Sequence, residues 1–359
     1  MRQPAQLALN GGLILLSLLV SLVLIEIGLR WFLPQDLSGS WRVYSDTGLV
    51  MNRSEGTARH SRGATSVLYR FSPPGLRGTD GRAARYRILL LGDSFTFGWL
   101  LEDEQTYAHR LQERIDATFG RGTFGIVNAA AGGWGAASYV AYVEEFGDQV
   151  DPDVVLVFIN TDDVGRAGAS GLYRLRGDEA VRLQAERPWL KRMVGAIPFW
   201  NEMVSSSQVI ALLRRAYVAF LSARRHETRV AGDGPRSAGG ANDGASVELT
   251  EAVFERLIQW TGERDIELWI ASTGWHRPPY TSDEPTERFM ADADAFFAHH
   301  DVAFNDPSAA VLERTGSDRS GYIFRDDGHP NARGAKLIAE ASWPFLKARL
   351  SAFCREEGC

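Results

Sequence analysis

Apolar runs of strand length, separated by stretches with helical periodicity, constrain the fold of this chain more than any other feature. Ile88–Leu91 is continuously apolar and ends at Gly92, and Val154–Ile159 is apolar throughout. Shorter strand candidates occupy Gly125–Asn128 and Ile266–Ser272. Runs without polar alternation are typical of parallel strands that are covered on both faces.

Helical patterns lie between and after these strands. Tyr107, Leu111, Ile115 and Phe119 recur at helical spacing, and further helices are expected at residues 138–149, 249–263, 285–299 and 331–348. Alternation of strand and helix predicts an α/β fold, a three-layer α/β/α sandwich with a parallel sheet.

The N-terminal segment is apolar over a much longer stretch than the predicted strands. Leu7–Ile25 contains no charged residue, and its 19 residues would rise about 28 Å as a helix, close to the thickness of the bilayer core. A cleaved signal peptide is the competing interpretation, but no A-x-A-like site follows the apolar run. We therefore predict a single retained transmembrane helix that precedes the globular part.

These patterns divide the chain into four segments. They are an anchor at residues 1–34, a linker with a small β element at 35–84, an enzyme-like α/β domain at 85–350 with a helical insertion at 165–247, and a tail at 351–359.

Composition removes several classes of function. Acidic residues outnumber basic ones by 45 to 39, which disfavours a nucleic-acid partner. The only cysteines are Cys354 and Cys359, so a cysteine-based zinc site or iron–sulfur cluster is excluded, while a disulfide and two free thiols both stay open. No H-E-x-x-H pattern occurs, and no metal or cofactor is predicted.

Ser94 is the first candidate catalytic residue. It follows the strand in RILLLGDSFTFG, at the carboxyl edge of the predicted sheet, where open α/β folds place their sites. A helix N-cap is the structural alternative.

His329 is the second candidate. It stands in DDGHPN just before the last predicted helix, and Asp326 and Asp327 precede it by three and two residues. Either carboxylate would orient the imidazole so that its other nitrogen takes the proton of a serine.

Four segments together carry a family resemblance. GDSFTFG, NAAAGGWG, PDVVLVFINTDD and DGHPN resemble, in order, the four sequence blocks of SGNH hydrolases, the GDSL-type esterases and acyltransferases. The apolar helix ending in EIGLR is similar to that of a membrane-anchored bacterial branch. The resemblance implies a flavodoxin-like sheet and an ester-cleaving serine.

The resemblance also implies roles for particular residues. Ser94 would be the nucleophile and His329 the base. The common family spacing points to Asp326 as the orienting acid and the D-x-H spacing of some members to Asp327, which we prefer because it retains the Asp-Gly pair before the histidine. The N–H groups of Gly133 and Ser94 would bind the oxyanion.

The third block departs from the family pattern. The oxyanion asparagine of the family corresponds to Asp162, and the family's glycine corresponds to Asn160. Either Asn160 reaches the site by a local shift, or a carboxyl group occupies the oxyanion hole. An ionised carboxylate about 4 Å from the oxyanion would cost roughly 4 kcal/mol, a rate factor on the order of a thousand.

Aromatic residues accompany the motifs. Phe95, Phe97 and Trp99 follow the candidate nucleophile, and Trp134 and Trp275 lie at other strand ends. Core filling is the ordinary role of such residues, while Trp134 and Trp275 are the candidates for stacking against a sugar ring.

Three functions are compatible with these observations. The first is a membrane-anchored esterase that removes acyl groups, acetyl foremost, from a cell-envelope glycan, with its globular domain on the periplasmic side of the inner membrane. The second is an O-acyltransferase that works with a membrane protein partner as acyl donor. The third is a binding or assembly subunit in which Asp162 disables catalysis.

Overall fold

The structure, a computed structural model of the chain, describes residues 3–35, 37–39, 41–78, 81–184, 200–217, 243–275, 284–316, 318–325 and 327–359. These residues form two units. The first lies within Met1–Ser40, Ala58–Ser66 and Leu190–Arg236, and the second within Trp41–Thr57, Val67–Trp189 and Ser237–Cys359.

The strands, in chain order, are β1 Arg42–Tyr44, β2 Val50–Asn52, β3 Gly56–Arg62, β4 Thr65–Ser72, β5 Leu76–Arg77, β6 Tyr86–Leu91, β7 Phe124–Asn128, β8 Val154–Ile159, β9 Tyr173–Arg176, β10 Glu179–Arg182, β11 Glu267–Ser272 and β12 Ala303–Asn305. The helices are α1 Gln3–Phe32, α2 Ser94–Phe97, α3 Tyr107–Phe119, α4 Ala136–Val150, α5 Asp163–Ala169, α6 Trp200–Ser206, α7 at residues 208–217, α8 Asp243–Gly262, α9 Glu284–His299, α10 Ser308–Thr315 and α11 Ala332–Glu357.

The first unit is dominated by α1. Its segment Leu9–Phe32 is long and apolar enough to cross a membrane, and a signal sequence meets the same criteria of length and composition. Near the end of α1, the carboxylate of Glu26 accepts hydrogen bonds from the Ser207 hydroxyl at 3.0 Å and from the backbone N–H groups of Gln208 and Val209 at 2.9 and 3.1 Å. Glu26 thus satisfies N–H groups that the start of α7 leaves without intrahelical partners.

The second unit contains a five-stranded sheet in the order β12-β11-β8-β6-β7. All of its strand pairs are parallel, and β6 and β8 are direct neighbours at its centre. The carboxyl ends of parallel strands meet at one edge, so the segments after β6 and β8 are brought together there.

Side chains of the sheet alternate between two cores. Leu89, Leu91 and Val157 point into a core that also contains residues of α4, α8 and α9, while Leu90 and Leu156 point into one built with α3 and α11. The predicted three-layer α/β/α sandwich is therefore confirmed, and the continuous apolar runs reflect burial on both faces.

Several boundaries differ from those predicted. The edge strand β12 has only three residues, all partly buried, so it has no apolar run from which the strand could be predicted. Helix α11 continues to Glu357, past the start of the predicted tail, and Cys354 and Cys359 are joined by a disulfide. Of the predicted insertion, the β9–β10 hairpin is described, whereas residues 185–199 and 218–242 lie outside the described part of the chain.

The predicted linker contributes structure to the second unit. Within Trp41–Thr57, strands β1 and β2 form an antiparallel hairpin in which Arg42 is paired with Asn52. Asn52 is 1% exposed, and its side-chain amide donates to the carbonyl oxygens of Gly75 and Ala130 at 3.0 Å each. The hairpin is therefore fixed to the loop that follows β7.

Candidate active site

Ser94 begins the short helix α2 directly after β6. The carboxylate of Asp93 caps this helix by accepting the backbone N–H of Phe95 at 2.8 Å. A Cβ on Gly92 would lie 1.9 Å from Oγ1 of Thr96, so only glycine permits this tight passage from strand to helix. Ser94 is thereby held at the carboxyl edge of the sheet.

His329 lies in a turn closed by backbone hydrogen bonds. The N–H of Phe324 donates to the carbonyl of His329 at 2.8 Å, and the N–H of Gly328 donates to the carbonyl of Phe324 at 2.8 Å. The side chain of Asn331 then caps α11, accepting the N–H groups of Arg333 and Gly334 at 2.9 and 3.1 Å. The histidine is thus anchored on both sides.

Ser94, His329 and Asp327 form one hydrogen-bonded chain. Oγ of Ser94 lies 2.8 Å from Nε2 of His329, and Nδ1 of His329 is hydrogen-bonded to Oδ1 of Asp327. The Asp327 side chain is 4% exposed, which protects this contact from water. The alternative acid, Asp326, lies outside the described residues. This geometry is that of a nucleophile, a base and an orienting acid.

Two aromatic rings flank the imidazole. Trp99 stacks on His329 with ring centroids 5.5 Å apart and planes at 28°, and Phe95 approaches the same ring at 5.5 Å. Both aromatic side chains are partly exposed. They restrict the rotation of His329 and leave an apolar surface beside the reacting groups.

The loop after β7 places Gly132 beside the candidate nucleophile, and Gly133 is the next residue. Gly133 has φ +79°, in the left-handed region that favours glycine. A Cβ on the adjacent Gly132 would lie 4.0 Å from Cβ of Ser94. Within the described residues, the backbone N–H groups of Gly133 and Ser94 have no acceptor. The N–H groups of Ser94 and Gly133 are therefore the candidate donors to an oxyanion.

Asn160 is bonded to the residue that precedes the candidate nucleophile. It is 1% exposed, its Nδ2 donates to Oδ2 of Asp93 at 3.0 Å, and its Oδ1 accepts the Thr273 hydroxyl at 2.8 Å. One of the two N–H donors of the Asn160 amide is thus bonded to Asp93, and a role of Asn160 as oxyanion donor stays a prediction.

Asp162 is paired with a cation that the sequence reasoning missed. Nη2 of Arg166 donates to its carboxylate at 2.9 Å, while Nη1 donates to Oδ2 of Asp93 at 3.0 Å and to the carbonyl of Trp134 at 3.2 Å. Burial opposes the charge of Arg166, but the carboxylates of Asp93, Asp163 and Asp162 outweigh it and raise its pKa. The i, i+4 spacing of Asp162 and Arg166 was the available signal.

Asp163, the residue after Asp162, is fully buried. Its Oδ2 accepts the Tyr139 hydroxyl at 2.6 Å and the N–H of Asn160 at 2.7 Å. Burial, followed by repulsion from Asp93, raises the pKa of Asp163 well above its usual range. Arg166 therefore lies against three carboxylates, since its Nη1 is also 3.7 Å from Oδ1 of Asp163.

The predicted sugar-stacking residues are both buried. Trp134 and Trp275 are each 2% exposed. The indole N–H of Trp134 donates to the carbonyl of Val50 at 2.5 Å, and Trp275 lies beneath the guanidinium of Arg319, 4.7 Å from its ring centroid. Their faces pack within the protein, so Trp99 is the better candidate for contact with substrate.

Among the described residues, no group of three or more His, Cys, Asp or Glu side chains is arranged to hold a metal ion.

Comparison with known proteins places this geometry in a family. The sequence model of the GDSL-like lipase/acylhydrolase family matches residues 90–337. None of the curated protein sequences compared with the chain matches it.

Several solved structures are similar in fold. An acetyl xylan esterase, AlAXEase, has a TM-score of 0.43 and 14% identity, over 72% of this chain and 99% of that chain. LAE5, an α/β hydrolase enzyme from the metagenome of Lake Arreo in Spain, has a TM-score of 0.43 and 16% identity, over 74% and 95%. The psychrotrophic esterase EstA from Pseudoalteromonas sp. has a TM-score of 0.41 and 14% identity, over 74% and 98%.

These structural likenesses are too distant to carry a functional argument, and the assignment rests on the family match. That match spans well over half of the chain, from the strand before Ser94 into α11. The chain therefore belongs to the GDSL-like lipase/acylhydrolase family and is a hydrolase that acts on ester bonds.

Proposed function

We propose that this protein is a membrane-anchored serine esterase that removes short acyl groups, acetyl foremost, from a cell-envelope glycan. The observation that carries the proposal is the 2.8 Å contact between Oγ of Ser94 and Nε2 of His329, with Asp327 on the far side of the imidazole. A serine hydroxyl needs an adjacent base to become a nucleophile at neutral pH.

The reaction follows from these contacts. Ser94 attacks the acyl carbonyl while its proton passes to Nε2 of His329, and Asp327 holds the imidazole in the tautomer that accepts it. The N–H groups of Ser94 and Gly133 stabilise the oxyanion. His329 then returns the proton to the departing alcohol, and water hydrolyses the acyl-serine by the same route.

The surroundings of Ser94 favour a ring-shaped alcohol. The partly exposed face of Trp99 beside His329 suits the apolar face of a sugar. Transfer of the acyl group to another sugar would need the same nucleophile, with an acceptor hydroxyl in place of water.

A fluorophosphonate probe tests the nucleophile directly. We expect the full-length protein to be labelled at Ser94 and to hydrolyse p-nitrophenyl acetate, and Ser94→Ala to lose both activities by a factor of about 10⁴ or more. Measured rates with acetylated saccharides, with and without acceptor sugars, then separate hydrolysis from transfer.

Ser170→Ala is the matched control, because Ser170 lies at the end of α5 with its hydroxyl bonded to the Ala167 carbonyl. Wild-type protein that is inert toward both probe and esters would contradict the esterase proposal and favour the role of a binding subunit.

Anchoring is supported by α1. The 24 residues Leu9–Phe32 would extend about 36 Å, enough to span a bilayer core of roughly 30 Å. The Cys354–Cys359 disulfide is in keeping with a globular domain outside the cytoplasm.

Membrane fractionation tests this placement. We expect the full-length protein to stay in the membrane fraction after alkaline carbonate and high-salt washes, with residues 1–32 still present by intact mass. Release by salt alone, or a mature N-terminus beyond Phe32, would show that α1 is not a retained anchor.

A further inference from the structure

The oxyanion hole of this site lacks a side-chain donor where the family has one. Asp162 occupies the position of the family's asparagine and is paired with Arg166 at 2.9 Å. The amide of Asn160 is bound to Asp93 and Thr273. Of the oxyanion donors known for the family, the backbone N–H groups of Ser94 and Gly133 have no acceptor among the described residues.

Arg42 lies beside this incomplete site. Its Nη2 is 3.5 Å from the position that a Cβ on Gly133 would take. The residue is exposed, and no carboxylate or other hydrogen-bond acceptor contacts its guanidinium in the described part of the chain. An arginine without an acceptor, placed next to an oxyanion glycine, has its donors available for substrate.

The β1–β2 hairpin holds Arg42 in this place. Arg42 is paired across the hairpin with Asn52, whose amide is bonded to the Ala130 carbonyl of the Gly133 loop at 3.0 Å. The adjacent Trp41 is buried and packs on Trp99 with ring centroids 5.8 Å apart. The backbone of Arg42 is therefore tied to the loop after β7 and to the Trp99 ring beside His329.

The charges of the site call for a second cation. The guanidinium of Arg166 lies within 3.7 Å of three carboxylates, those of Asp93, Asp162 and Asp163. Negative charge then develops on the substrate oxygen in the transition state, and a surplus of carboxylates would oppose it. The charge of Arg42, which lies beside Gly133, offsets that surplus.

We propose that Arg42 is a catalytic residue whose guanidinium donates a hydrogen bond to the oxyanion, in place of the side-chain amide that the family uses. The inference rests on the proposed role of Ser94. As the bond from Oγ to the acyl carbon forms, the carbonyl π pair moves to oxygen and the serine proton moves to His329. Arg42 keeps its own protons, and it stabilises the oxygen until the alcohol leaves.

Steady-state kinetics of Arg42 variants test the proposal on the full-length protein in detergent. With p-nitrophenyl acetate, a small neutral ester, we expect Arg42→Gln to lower kcat about 100- to 1000-fold, with KM changed less than about threefold. Arg42→Lys keeps the positive charge but lacks the planar guanidinium with its paired N–H donors. We expect its kcat to be about tenfold or more above that of Arg42→Gln. Labelling of Ser94 by the fluorophosphonate should slow in the same order.

Arg53→Gln is the matched control, since Arg53 directly follows β2 and its guanidinium reaches the backbone carbonyl of Thr57 at 3.3 Å. We expect wild-type kinetics from it. Arg42→Gln with kcat within threefold of wild type, or with a change in KM alone, would overturn the inference while the esterase stands. A wild-type protein that neither hydrolyses the ester nor reacts with the probe would overturn the proposed function and this inference together.

Discussion

The carboxyl ends of β6 and β8 are neighbours in the sheet, yet they relate to the family pattern in opposite ways. After β6, Asp93 caps α2 and Ser94 meets His329, as the family blocks lead one to expect. After β8, the asparagine of the family is replaced by Asp162, and its carboxylate is bound by Arg166.

The difference shows which parts of such a site tolerate exchange. Proton transfer requires one hydroxyl, one imidazole and one acid in a fixed order, so the β6 side admits few alternatives. Stabilisation of an oxyanion requires only positive potential near one oxygen, which amides, backbone N–H groups or guanidinium groups can each supply. The β8 side is therefore free to change if the charges are rebalanced.

The largest expected effect concerns the hydrogen-bonded chain that joins Ser94, on the β6 side, to His329 and Asp327. Asp327→Asn should lower kcat for p-nitrophenyl acetate about 10⁴-fold, because an amide in place of the carboxylate favours the wrong tautomer of His329. Asp326→Asn should stay within about threefold of wild type. If the two effects are reversed, Asp326 is the orienting acid and the Asp327 contact has no catalytic role.

The next effect concerns the rebalanced β8 side. Arg166→Met should reduce the free energy of unfolding by about 3 kcal/mol, because the Asp93 carboxylate, 1% exposed, loses its cationic partner. Urea unfolding followed by tryptophan fluorescence measures this loss. Arg288→Met, which removes an exposed i, i+4 pair with Glu284, should cost less than about 1 kcal/mol. If the two variants lose the same free energy of unfolding, the Arg166–Asp93 pair stabilises the protein no more than an exposed ion pair does.

The smallest effect is expected from Asp162 itself. An unpaired carboxylate near the oxyanion would slow the reaction roughly a thousandfold, but the pairing with Arg166 cancels most of its field. Asp162→Asn should therefore raise kcat at neutral pH by about tenfold or less. A gain near a thousandfold would mean that Arg166 does not neutralise the repulsion between the Asp162 carboxylate and the oxyanion. The rebalancing of charge inferred for the β8 side would then be wrong.

Sequence patterns predicted the sheet and the triad candidates because each signal is local. The runs Ile88–Leu91 and Val154–Ile159 are apolar since both faces of the sheet are covered. The spacing of Asp327 and His329 can likewise be read from adjacent residues, and its role in catalysis stays a prediction.

The features that were missed depend on contacts between distant segments. Arg42 lies in a segment that looks like a linker, and only the Asn52–Ala130 hydrogen bond reveals that its hairpin belongs to the site. Trp134 was predicted to stack on a sugar because it follows Gly133, but a partner in β2, the Val50 carbonyl, holds its indole N–H inside the protein. Sequence spacing does not report such partners.

The separation of Ser94 and His329 along the chain has a consequence for when the enzyme becomes active. The two residues are 235 positions apart, and the histidine turn is held by the start of α11. During synthesis, Ser94 and its strand emerge long before their base, and long-range contacts of this kind form late in folding. The serine of a nascent chain is thus an ordinary alcohol, and the ability to attack esters arises only when the C-terminal helix docks on the sheet.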